Sequence, residues 1–205
     1  MSGLSRPWPE LGWVAVDVEG NGQQPPDLVE VACLPIDAGQ PGPVRTWLVS
    51  PPRPVTATAA RIHRISNQDL AAAPPVGNVA GEVRAALAGR VVVGHNVTVD
   101  IGVLRRELPG WQPEAALDTL ALARWVWPAL RSYRLDALAA HARLATPPQA
   151  TGSRHRAGHD AVLAAALFTT LARAAASDPD RTVSAARLLR LASPRPAGPH
   201  GPALF

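Results

Sequence analysis

Residues 13–20 read WVAVDVEG, and this stretch decides the architecture. Val14, Val16 and Val18 alternate with Trp13, Ala15, Asp17 and Glu19, which is the period-two pattern of a β-strand. Apolar residues on both sides of the alternation predict a central strand covered on both faces. Asp17 and Glu19 then share one face, two residues apart. Side by side in a buried strand, two carboxylates repel each other and lose hydration. A sheet tolerates them only beside a positive charge. All twenty basic residues are arginine and none is lysine, so that charge is an arginine or a metal ion. Oxygen-only ligands point to Mg2+ or Mn2+ rather than zinc. The alternative is a strand-end pair open to water, because Gly20-Asn21-Gly22 marks a turn.

Working outward, residues 28–36 and 44–49 form two more apolar runs, set apart by the turn-prone stretches GNGQQPPD and DAGQPGP. Three strands in quick succession predict an antiparallel meander, which PPRPV at residues 51–55 interrupts. The pattern then changes. Helices are predicted at residues 76–87, 97–108, 119–127, 135–144 and 157–175, with short strands at 90–94 and 115–117. A meander followed by strand–helix alternation predicts an α/β fold with a mixed five-stranded sheet flanked by helices. The expected domain covers residues 1–176. Residues 177–205 follow it with one more helix at 183–191 and a Pro-rich tail.

Composition narrows the class. Nearly half the residues are apolar and the net charge is a modest +4, values of a globular chain rather than a disordered one. No apolar run approaches the roughly 20 residues that span a bilayer. The segment MSGLSRPWPELGW lacks the regions of a signal peptide, so a cytoplasmic protein with no membrane partner is expected. Cys33 is the single cysteine and lies in an apolar run, where it reads as a buried structural thiol. The arginine-only basic set fits a GC-rich source. Guanidinium groups also bind phosphate well, as planar bidentate donors.

Two further segments carry acids in telling places. The predicted strand RVVVG runs into His95-Asn96 and then VTVD, which places Asp100 in the first turn of a helix. A carboxylate there stabilises the helix N-terminus. The same position, beyond the carboxyl end of a strand, is where open α/β sheets carry functional groups. In HRAGHDA (residues 155–161), Asp160 lies inside a predicted helix and His155 at or before its first turn. His155 is then free to lean over a site toward which Asp160 points, while His159 projects elsewhere.

Taken together, VDVEGNG, GHNVTVD and HRAGHD resemble the three exonuclease motifs of the DEDDh family, in the family's order. That family includes the proofreading ε subunits of bacterial DNA polymerase III, RNase T and oligoribonuclease. IHRIS, LDTLALAR and YRLDALAAHARL are further matches, so the likeness covers roughly residues 11 to 175. The resemblance implies an RNase H-like fold and a two-metal-ion mechanism that releases 5′-mononucleotides from a free 3′ end. By the same resemblance Asp17, Glu19 and Asp160 hold one ion, Asp17 bridges to a second near Asp100, and His155 takes the proton of the attacking water. Two ions about 3.5–4 Å apart suit in-line displacement, and an imidazole with a pKa near 6.5 suits a base at neutral pH.

The chain also departs from the family. Gly20-Asn21 stands where Thr-Thr often helps hold the terminal nucleotide, Val99 where an aromatic is common, and Arg64 where a glycine is usual. These residues, with His63 and Asn96 of the matching segments, are the expected substrate contacts. Arg64, Arg154 and Arg156 are candidate phosphate clamps, the alternative for each being a solvated surface arginine. Trp13, Trp47, Trp125 and Trp127 read as core. The expected substrate is a single-stranded 3′ end, DNA favoured over RNA. Alternatives are an oligoribonuclease-type enzyme and a weakly catalytic, polymerase-associated binding module. The terminal GPALF ends in the Leu-Phe seen in sliding-clamp-binding tails, which suggests a clamp or polymerase partner.

Overall fold

The computed structural model describes residues 2–144, 156–176 and 183–194. Its centre is β1 (Trp13–Gly20), buried along its whole length except at Asp17, which is half-buried. On one side β1 pairs antiparallel with β2 (Leu28–Asp37), which also pairs with β3 (Gln40–Pro41) and β4 (Arg45–Leu48). On the other side β1 runs parallel to β5 (Val91–Gly94), and β5 to β6 (Ala116–Asp118). The sheet is thus mixed, as predicted, in the order β3-β2-β1-β5-β6 with β4 also on β2. Among the described residues the five expected strands are joined by a sixth, the two-residue β3. Ala38 and Gly39, both at positive φ, close a two-residue hairpin that folds Gln40 and Pro41 back onto β2.

Alternation along the strands separates two cores. Trp13, Ala15, Leu34, Ile36, Val93 and Leu117 face α6 (Ala157–Ala174), together with α4 (Thr119–Val126), α5 (Leu135–His141) and α7 (Ala185–Leu191). Val14, Val16, Val18, Val31, Cys33 and Val92 face α2 (Val76–Leu87) and α3 (Thr98–Glu107). Cys33 is accordingly a buried thiol, its pKa pushed up to about 12 by burial. Val183, Ala185, Leu188 and Ala192 belong to the first core, so α7 packs with the residues before 176 rather than apart from them. Among the described residues no helix is long and apolar enough to cross a membrane.

Two local readings change. The Pro-rich break is followed by a helix the apolar pattern does not announce, α1 (Ala57–His63). Its signals are chemical: the Thr56 hydroxyl accepts from the Ala59 amide at the start, and Arg64 ends it in the left-handed conformation. Trp125, expected in the core, is 44% exposed on α4, because Leu122 and Ala123 take that helix's inward face. Trp13 and Trp47 are buried as expected.

Candidate active site

The register of β1 places Asp17 and Glu19 on the face covered by α6. Asp160 comes to them from the first turn of α6, and one carboxylate oxygen from each residue lies within 4.8 Å of the others. Small residues make this approach possible. Ala32 of β2, opposite Asp17 in the register, packs against Ala157 and Ala161 of α6. Larger side chains there would hold the helix off the sheet.

Asp100 arrives from α3 on the far side of β1. Its Oδ1 accepts a hydrogen bond from the Val18 amide at 3.0 Å, and the side chain is buried. The segment that delivers it is tightly built. A Cβ on Gly94 would meet Val97 Cγ2 at 2.7 Å and the Val16 carbonyl at 3.1 Å, so β5 ends on the residue that permits the approach. Asn96 then adopts a left-handed turn at φ 64°, its amide held by Asp118 Oδ1 at 2.8 Å. His95 braces the segment from behind. It donates through Nε2 to the Tyr133 carbonyl at 2.9 Å and pairs through Nδ1 with the Thr119 hydroxyl at 3.0 Å.

The electrostatics are those of crowded, desolvated acids. Burial raises the Asp17 pKa well above the carboxylate range, and Asp100, Glu19 and Asp160 raise it further. Burial, then Asp160, Glu30 and Asp100, pushes Glu19 up to about 9. Burial pushes Asp100 up to about 8, against the opposing hydrogen bond from Val18. Among the described residues, Arg156 is the guanidinium that offsets part of the charge beside Glu19. Its hydrogen bonds, however, go to another carboxylate, Glu30. An oxygen-only donor set of three converging carboxylates fits a hard divalent cation.

Glu30 is the site residue that sequence reading passed over. It lies directly opposite Glu19 in the sheet and is 2% exposed. Its signal was the same as that of β1, an acid inside an apolar run, LVEVACLPI.

The expected substrate contacts divide. Asn21 is fully buried with its amide spent inside the loop. Nδ2 donates to Asp27 Oδ2 and the Arg53 carbonyl, and Oδ1 accepts from the Gln23 and Asp27 amides. It therefore organises the turn after β1 and leaves no donor or acceptor over for a nucleotide. Arg156 is engaged as well, its Nε and Nη2 donating to Glu30. His63 is fully buried, its Nδ1 accepting from the Ile65 amide and its Nε2 without a hydrogen-bond partner among the described residues. Burial holds its pKa below the usual imidazole value, against the opposing Gly20 backbone and Glu30. Arg64 is exposed at φ 60°, a conformation that explains why glycine suits this position. Gly20 is buried at the end of β1, beside an irregularity in the register, while Asn96 and Val99 are half-buried around the start of α3. Arg154, His155 and the tail from 195 onward lie outside the described residues.

The chain is similar to known proteins over most of its length. The family model described as Exonuclease (RNase T) matches residues 14–168. A DNA polymerase III subunit epsilon-like protein of Rhodobacter capsulatus is 32% identical over 173 residues, which is 80% of this chain and 24% of that protein. The 3′-5′ exonuclease DinG of Bacillus subtilis is 31% identical over 163 residues, 76% of this chain and 17% of that protein. The chain thus spans a quarter or less of these two relatives. Among solved structures, exonuclease X in complex with 5′ overhanging duplex DNA superposes with a TM-score of 0.71 at 27% identity, covering 87% of this chain and 98% of that one.

Proposed function

The chain belongs to the exonuclease family, and from that premise we propose that it removes nucleotides from the 3′ end of DNA by metal-dependent hydrolysis. The observation that carries the proposal is the convergence of Asp17, Glu19 and Asp160 within 4.8 Å. These three would hold one divalent cation, Mg2+ or Mn2+, and Asp17 with Asp100 would serve a second. Bound there, the cations supply charge stabilisation for the attacking and leaving oxygens of an in-line phosphoryl displacement. The chain's own residues do the rest. Buried and half-buried carboxylates fix the donor oxygens in advance, and the closely packed β1, α3 and α6 keep them from spreading apart under mutual repulsion.

His155 takes the proton of the attacking water in this reading. The assignment rests on the DEDDh resemblance and on its place in sequence directly before Arg156, which opens α6. The preference for DNA is supported by the nature of the relatives: a polymerase III epsilon-like protein, and exonuclease X solved with duplex DNA. A polymerase or clamp partner, reached through the terminal Leu204-Phe205, is part of the same proposal. A pull-down with and without the last five residues tests it, and equal capture sinks it.

The central test digests labelled single-stranded DNA, RNA and dinucleotides with Mg2+, beside an Asp17→Ala control. Mononucleotides released from the 3′ end of DNA, and lost with Asp17→Ala or chelator, are the expected result. Release from RNA alone would move the substrate class to oligoribonucleotides. No metal-dependent release from any of them would refute the activity.

A further inference from the structure

Glu30 and Arg156 meet across 126 positions of sequence at the point where α6 touches the sheet. Glu30 faces Glu19 directly across the β1–β2 ladder, so the two side chains leave the same face of the sheet. Like charges so placed repel, and Glu30 is almost wholly buried. Three donors hold it. Arg156 Nη2 donates to Oε1 at 2.6 Å, Arg156 Nε to Oε2 at 3.0 Å, and the Ala157 amide to Oε2 at 2.9 Å. Arg156 is the residue that caps α6, and Ala157 is the first residue of that helix. One carboxylate of the sheet therefore grips both the side chain and the first free amide at the helix entrance. Asp160 lies three residues further on, within the first turn, so its position over Asp17 and Glu19 follows from where Glu30 fixes the helix start.

We infer that Glu30 and Arg156 are a positioning pair: they set the distance of Asp160 from Asp17 and Glu19, and Arg156 keeps Glu30 from competing as a ligand. The inference rests on the metal-site reading above. It differs from an ordinary buried ion pair in what it controls, the affinity of the site for its cation rather than stability alone.

Mn2+ alone is the probe, titrated into the full chain and followed by the electron paramagnetic resonance of the free ion, at a temperature where each variant is folded by circular dichroism. Wild type binds and Asp17→Ala does not. Arg156→Gln and Glu30→Met weaken binding about 10- to 100-fold, the range for residues that orient metal ligands. Glu30→Gln, whose amide oxygen still accepts from Ala157, falls between. In parallel, the Mg2+ needed for half-maximal turnover rises in Arg156→Gln while turnover at saturating Mg2+ recovers in part. Should Glu30→Met fail to fold, Arg156→Gln carries the test, since that side chain is already 27% exposed.

The failures are separable. Equal Mn2+ binding by wild type and Asp17→Ala would overturn the metal site itself. Loss on Asp17→Ala, but wild-type affinity with lowered melting in Arg156→Gln and Glu30→Gln, would leave only a structural ion pair. Loss in Glu30→Gln as complete as in Asp17→Ala, with Arg156→Gln unaffected, would make Glu30 a ligand. Either of the last two overturns the inference.

Discussion

The Val18 amide donates to Asp100 Oδ1 at 3.0 Å, joining the strand that carries two of the acids to the helix that carries a third. The bond forms where β1 has outrun its parallel neighbour, the last β1–β5 pair being Ala15 with Val93. A side chain thus takes the place of a missing strand, and it fixes Asp100 beside a site that repels it.

This relationship predicts opposite effects on stability and activity. In Asp100→Asn the amide oxygen still accepts from Val18, while a buried carboxyl that must take up a proton on folding at neutral pH is replaced by a group that needs none. The metal-free protein should become more stable at neutral pH, by about 1 kcal/mol, because a carboxyl whose pKa rises on folding costs stability there that a neutral amide does not. Turnover should fall on the order of 100-fold, as for loss of one pre-set electrostatic contact. Urea unfolding in chelator and a Mg2+-dependent digestion assay read the two. A variant that lost stability and kept activity would contradict both the bond and the site.

Metal removal should make stability depend on pH in a direction opposite to ordinary acid denaturation. Glu19, raised to about 9, and Asp100, raised to about 8, hold protons in the folded chain that the unfolded chain releases above roughly pH 4.5. A raised folded pKa contributes stability below the unfolded value and loses it as pH climbs through the folded one. Melting temperatures in chelator should therefore fall between pH 5 and pH 9, and saturating Mg2+ should restore more stability at the alkaline end. A metal-free melting temperature that rose across this range would show that the acids are not crowded and desolvated as described.

His155→Ala should slow turnover by roughly 100- to 10,000-fold, the usual range for a general base, while Mn2+ binding stays intact. His159→Ala, altering the half-buried neighbour of Asp160 in α6, should do much less. If the two variants exchanged behaviour, the base would be His159.

Gly94→Ala tests the packing that delivers Asp100. The new methyl would overlap Val97 and approach the Val16 carbonyl, and overpacking of this kind costs about 1–3 kcal/mol. Gly102 of α3 has open space at the same position, so Gly102→Ala should be neutral or stabilising by up to about 1 kcal/mol. Urea midpoints of both variants settle the comparison; equal destabilisation would contradict the tight β5–α3 corner.

What sequence alone determined was whatever is written in short-range pattern. The alternation of residues 13–20 placed Asp17 and Glu19 on one face of a central strand, because side chains in a strand repeat every two residues. The helical periods located α2, α3 and α6, and the acids Asp100 and Asp160 in the first turns of α3 and α6 stood out without any tertiary knowledge. Register and long-range partners were a different matter. Nothing local says that Glu30 lies opposite Glu19, or that Arg156 turns to Glu30 rather than to a phosphate. Nor could pattern tell that Asn21 spends its amide on its own loop, or that Trp125 faces outward. A side chain commits its hydrogen bonds and its burial only when the chain has closed on itself. Those choices belong to the tertiary structure, and the approach of Asp160 to Asp17 and Glu19 is one of them.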